Sequence, residues 1–69
     1  MRIEIDAREM LPPEPFERVV AALERFAPGD EILLLLYREP YPLYDMLTRN
    51  GYRYSTEHAE DGTVRVRIT

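Results

Sequence analysis

Six consecutive residues, Ile32-Leu33-Leu34-Leu35-Leu36-Tyr37, form an apolar run between Pro28-Gly29-Asp30 and the proline-punctuated segment Arg38-Glu39-Pro40-Tyr41-Pro42. A stretch this short between such breakers does not sustain a helix and reads as a strand. Strand side chains alternate between two faces, and here both faces are apolar, as expected of a buried central strand. The rest of the chain has to fold around it. With 69 residues there is room for a single domain, expected to span the whole chain 1–69, and chains near this length bury only about 60% of the surface they expose when unfolded. Cysteine is absent, so no disulfide and no cysteine-type zinc site supplements the core. Packing is left to supply stability, with self-association as the one supplement still open to the chain.

The flanking segments have readable periods. Ile3 and Ile5 alternate with Arg2, Glu4 and Asp6, the pattern of a half-buried strand. A loop with Arg8, Glu9 and Met10 leads to Pro12-Pro13, and proline is tolerated in a first helical turn because its missing N–H has no partner there anyway. Phe16, Val19, Val20, Leu23 and Phe26 recur at helical spacing and predict an amphipathic helix over 13–26. Glu14 and Glu17 suit the positive end of its dipole, and Glu14 and Arg18 form a favourable i,i+4 pair. A second helix is predicted over 42–50, with Leu43, Met46 and Leu47 inward, an Asp45–Arg49 pair, and Asn50-Gly51 as its stop. Tyr52, Tyr54, Thr56 and His58 then alternate with Arg53, Ser55 and Glu57. After a turn at Asp61-Gly62, Val64, Val66 and Ile68 alternate with Arg65 and Arg67, which completes a β-hairpin.

The order is βαβαββ. A right-handed crossover makes strands one and two parallel, and both helices then cover one face of a four-stranded mixed sheet. The expected fold class is α+β, a two-layer α/β sandwich. One consequence is geometric. Ile32, Leu34 and Leu36 cannot point the same way as Leu33, Leu35 and Tyr37, so one set faces away from the helices. Arg2, Glu4, Arg53, Glu57, Arg65 and Arg67 surround it on the open face. An apolar centre with a charged rim is the composition of an interface. The expectation is a protein partner or a homo-oligomer across this open face, against the alternative that arginine stems shield the leucines.

Composition excludes several functions. The formal net charge is −4 and all nine basic residues are arginine, which removes Schiff-base lysine chemistry and argues against nucleic acid as a partner. No apolar run approaches the ~18 residues of a membrane helix, and the acidic N-terminal strand pattern is no signal peptide; no membrane is expected as a partner, and cytoplasmic is the default localisation. His58 is the only histidine, too few nitrogen or sulfur ligands for a transition-metal site. Ser55 falls on the opposite face of its strand, so the two make no nucleophile–base pair. Of the five tyrosines, Tyr52 and Tyr54 share core parity and read as packing rather than as a stacking platform for bases.

One polar cluster stands out. Parallel pairing of strands one and two brings Arg8 and Glu9 toward Arg38 and Glu39, at the edge where α/β sheets present ligand sites. With Pro12, Pro13, Glu14 and Tyr41 these residues form the candidate docking or ligand cluster. The competing reading is a set of surface ion pairs worth about 0–1 kcal/mol each. At the head of helix one, prolines remove donors and Glu14 and Glu17 repel anions, so a rigid helix entrance is the better reading there than an anion site.

An aspartate after strand one, a short loop, Leu11-Pro12-Pro13-Glu14-Pro15, a helix, Pro28-Gly29-Asp30, an apolar strand and a late hairpin together resemble the TusA/SirA-like sulfur-carrier fold. The carriers have Cys-Pro-x-Pro at the head of helix one; Pro13 and Pro15 match its prolines, and Pro12 stands where the cysteine would be. The chain is more similar still to an uncharacterised sister family, a domain of unknown function, in Pro12 to Glu17, in Arg38 to Tyr44 and in Asp61 to Val66. The resemblance covers nearly the whole chain and implies the fold. It does not bring the carriers' activity, which needs a thiolate at a helix N-terminus. The expectation is a small non-enzymatic protein, acting through protein–protein contact or as an accessory domain. The alternative is a non-covalent component of a sulfur or redox pathway that binds a persulfide or small anion. No catalytic residue, cofactor or metal ligand is assigned.

Overall fold

The computed structural model describes residues 1–69. The elements are β1 (Arg2–Asp6), α1 (Glu14–Leu23), β2 (Glu31–Leu36), α2 (Tyr41–Arg49), β3 (Tyr54–His58) and β4 (Val64–Ile68). They form one four-stranded sheet in the order β1-β2-β4-β3. β1 runs parallel to β2, while β4 is antiparallel to both β2 and β3. The mixed two-layer sandwich expected from the periodicities is the observed architecture, and β2 lies inside the sheet between β1 and β4.

The split of the apolar run into two faces is sharp. Ile32, Leu34 and Leu36 are buried, whereas Leu33 and Leu35 are only half-buried. The inner set joins Val64, Val66 and Ile68 of β4, Val19 and Leu23 of α1, and Leu43, Tyr44 and Leu47 of α2 in one core. Ile3 and Ile5 of β1 pack against it from the sheet edge. Burying a leucine or isoleucine fully is worth about 1.5–3 kcal/mol, so this inner row is the main apolar contribution of the central strand.

Element ends differ from the expected ones by a few residues, for local reasons. α1 stops at Leu23 rather than continuing to residue 26. The chain then tightens into shorter turns, with the N–H groups of Arg25 and Phe26 bonded to the carbonyls of Ala22 and Leu23. Pro28 disfavours helix at the residue before it, and Asp30 draws the chain round by accepting the Ala27 N–H at 3.0 Å. Phe26 still packs against the core, edge-on to Tyr52 at 5.9 Å. Gly51, at φ +81°, ends α2 in a conformation that glycine adopts readily. Tyr52 therefore belongs to the turn, its N–H bonded to Leu47 O at 2.9 Å, and β3 starts at Tyr54.

Tyr54 keeps the inner parity expected for it but not the burial. It pairs with Ile68, yet it is 39% exposed because β3 is an edge strand. Its ring instead stacks on Tyr44, centroids 4.3 Å apart.

The two faces of β2 should respond differently to truncation. Leu34→Ala is expected to cost about 2–5 kcal/mol, and Leu33→Ala less than about 1.5 kcal/mol, both read from urea unfolding. Equal losses would mean that the open face is as tightly packed as the core.

Candidate functional site

The C-terminal end of β2 and the entrances of both helices enclose a groove of about 370 Å³. Leu34 and Leu36 of β2 line it from the sheet. Pro12, Pro13, Pro15 and Phe16 form the α1 wall, and Pro40, Pro42 and Leu43 form the α2 wall. Arg38 and Glu39 supply its only charged side chains.

Both walls have the same local design. Pro13 and Pro40 are the N-cap residues, and neither helix has a side-chain cap. Pro15 and Pro42 occupy the second helical position, followed by Phe16 and Leu43. Proline is well suited there because its φ is already helical and no N–H is sacrificed. The Pro12-Pro13 peptide bond is cis. Two proline-stiffened helix entrances therefore face each other across the end of the central strand, and the surface between them is apolar.

Of the residues expected to cluster, Pro12, Pro13, Arg38 and Glu39 do line this groove. Tyr41 lies beside its rim, where its hydroxyl donates to Glu39 Oε2 at 3.1 Å. The others are engaged locally instead. Arg8 donates to both oxygens of Asp6, at 2.9 and 2.7 Å. Glu14 pairs with Arg18 along α1 at 3.3 Å, and Glu9 forms no ion pair within the chain. The eight residues thus do not make one polar cluster. Asp6 lies two residues from Arg8, and a partner that close costs little chain entropy to reach. Arg38 has no carboxylate within 4.0 Å.

Glu39 anchors a second network toward the β3 edge. It accepts from the Tyr41 and Tyr44 hydroxyls, at 3.1 and 3.2 Å, and the Tyr44 hydroxyl shares a 2.6 Å hydrogen bond with Thr56 Oγ1. His58 Nε2 lies 3.8 Å from Glu39 Oε2 and is well exposed. The hydrogen bond to Glu39 pushes the Tyr41 phenol above its ordinary value. Burial, the largest cause, pushes Tyr44 up as well. Both phenols remain protonated near neutral pH and act as hydrogen-bond donors. Ser55 and His58 lie on opposite faces, opposite Arg67 and Val64 respectively, as the alternation requires.

The groove residues absent from the sequence-based cluster are Pro15, Phe16, Leu34, Leu36, Pro40, Pro42 and Leu43. A signal for most of them was present: proline-x-proline-apolar occurs at residues 13–16 and again at 40–43. What the sequence lacked was the distance between the two copies, which only the crossover of α1 over the sheet sets.

The fold is that of SirA-like proteins. A crystal structure of a SirA-like protein from Desulfitobacterium hafniense matches with a TM-score of 0.85 at 24% identity, covering 99% of this chain and 95% of that one. The family model of an uncharacterized conserved protein, DUF2249, matches residues 4–69, and the chain belongs to that family. No curated protein matches it.

The Asp6–Arg8 pair gives a pH prediction. Its side-chain hydrogen bonds to Arg8 lower the Asp6 carboxyl from 3.8 to about 2. A carboxyl depressed on folding contributes stability that is complete above its unfolded value, near 3.9, and is lost as pH falls through about 2. NMR titration of the Asp6 carboxyl carbon should give a midpoint near 2, moving toward the ordinary aspartate value in Arg8→Ala. An unchanged midpoint in that variant would remove Arg8 as the cause.

Proposed function

We propose that this chain is a non-enzymatic recognition domain that acts through protein–protein contact at the groove between its two helix entrances. The observation carrying this reading is the groove's composition: five prolines, Phe16 and three leucines, with Arg38 and Glu39 as the only charged groups. A concave apolar surface with a few placed polar groups is the usual form of a small-ligand site, and apolar grooves also receive segments of partner proteins. Proline walls also lose little conformational entropy when a partner seats against them. Pro12 lines the groove at the position where the resembling carriers hold their cysteine. Neither cysteine nor lysine is present to take up covalent transfer. The domain can serve alone or as an accessory part of a larger protein.

A second reading is favoured by one observation, the lack of a carboxylate partner for Arg38. A free guanidinium beside an apolar groove suits a persulfide or small anion held without a covalent bond.

Affinity capture from native lysate, quantified against Pro12→Glu and Arg38→Ala variants, separates the two readings. All of these changes are at exposed positions, so thermal stability should be retained. Contact at the groove predicts a defined partner whose capture falls at least about tenfold in both variants, a loss on the scale of one interface hot spot. Undiminished capture by both variants would remove the groove from the interaction. If no partner is captured while thiosulfate shifts the Arg38 and Phe16 amide resonances, the anion reading takes its place.

A further inference from the structure

The open face of the sheet, opposite the helix layer, carries an arrangement that its composition alone does not disclose. Its three adjacent strands present different chemistry in the same registers. Glu4 of β1 lies level with Leu33 of β2, and Leu33 lies level with Arg67 of β4. Two residues further along, Asp6, Leu35 and Arg65 repeat the order. In these two rows the face reads acidic, apolar, basic from β1 across β2 to β4, with β3 outside; in the row before them Arg2 of β1 lies level with Glu31 of β2.

A two-fold axis lying in the plane of this face, along β2, exchanges the left and right of the pattern without changing the register. A second copy brought face to face by that operation places Leu33 over Leu33 and Leu35 over Leu35. The second copy's Glu4 then stands over Arg67, and its Arg67 over Glu4. Packed sheets lie about 10 Å apart, a gap that a glutamate and an arginine can span together. The pairs sit only about 5 Å, one strand spacing, from the axis, so the roughly 30° twist between packed sheets displaces them little.

The two rows are not equally available. Asp6 is held by Arg8 and Arg65 by Glu57, at 2.7 and 2.9 Å. In the other row Glu4 has no ion-pair partner within the chain, and Arg67 reaches only Glu31, at 3.8 Å. We propose that the open sheet face is a self-complementary dimer surface, occupied by a second copy of this chain. Leu33 and Leu35 lie on its two-fold axis, and reciprocal Glu4–Arg67 pairs set its register. This surface lies on the other side of the sheet from the groove, so neither proposal depends on the other. Its footprint, three strands wide, is roughly 300 Å² in projection. That is small beside a standard interface, so the dimer is a weak one. Its charge pairs are rim-exposed and weaken with salt.

Sedimentation equilibrium from about 10 μM to 1 mM, at roughly 50 mM salt, reads the proposal directly. The unaltered chain is expected to move from monomer toward dimer across that range. Glu4→Arg and Arg67→Glu should each weaken the dimer at least about tenfold, because each sets like charges against one another twice. The double variant Glu4→Arg/Arg67→Glu restores opposite charges and should recover affinity to within about threefold of the original. Arg38→Ala, in the groove, should leave association unchanged. A chain that stays monomeric at the highest concentration overturns the proposal. So does a dimer indifferent to Glu4→Arg, or a folded double variant that does not recover. The absence of cysteine permits a check that does not depend on those charges. Leu33→Cys, on the axis, should be joined to its own copy by a short bis-maleimide. Ser55→Cys, on the same face but over β3, should not, and failure of Leu33→Cys to cross-link sinks the two-fold register.

Discussion

The structure depends on the placement of β2. This strand is paired on both sides, by β1 and β4, and its inner row Ile32, Leu34 and Leu36 is buried. A strand that is apolar on both faces cannot lie at an edge without exposing a long hydrophobic ribbon. Setting it inside the sheet satisfies its backbone hydrogen bonds and seals one of its faces. Both helices are then tied to the sheet through what they lay on that inner row: Val19 and Leu23 from α1, Leu43, Tyr44 and Leu47 from α2. The other face, with Leu33 and Leu35, is left for arginine stems or a second chain to cover.

The groove is a by-product of the same placement. Because β1 and β2 are parallel, α1 must begin at the end of the sheet where β1 finishes. β2 finishes at that end too, and α2 begins there. Two helix entrances therefore meet, and at both of them the sequence spends prolines where other helices place a capping serine or aspartate. The result is a stiff apolar concavity in place of a ring of polar caps. Position 12 makes the contrast with the carriers concrete. At a helix entrance a thiol would be driven toward its reactive thiolate, whereas the ring of Pro12 offers shape and apolar surface and nothing to transfer.

Much of this was legible beforehand. The alternation in β1, β3 and β4 and the helical spacing in α1 and α2 located every element. The apolar run identified the central strand, and the proline motifs carried the likeness to the family that the chain belongs to. Errors gathered where local pattern and tertiary position disagree. Phe26 has helical spacing but lies beyond the end of α1, where Pro28 and Asp30 turn the chain. Tyr54 has core parity but sits on an edge strand, so it stacks on Tyr44 instead of being buried. Arg8 and Glu14 are near the right end of the molecule, but each takes a partner a few residues away, Asp6 and Arg18.

The sequence by itself determined the alternation of strands and helices, the central place of the apolar run at residues 32–37 and the lack of a reactive thiol. Each follows from short-range periodicity or from composition. Only the tertiary structure decided that the prolines at 13–15 and those at 40–42 form opposite walls of one groove. The same holds for Glu4, Leu33 and Arg67, which lie level across three strands. Both facts join residues more than twenty positions apart. Strand register and the path of a crossover are set by how all the apolar faces close together, and no local stretch of sequence contains that information.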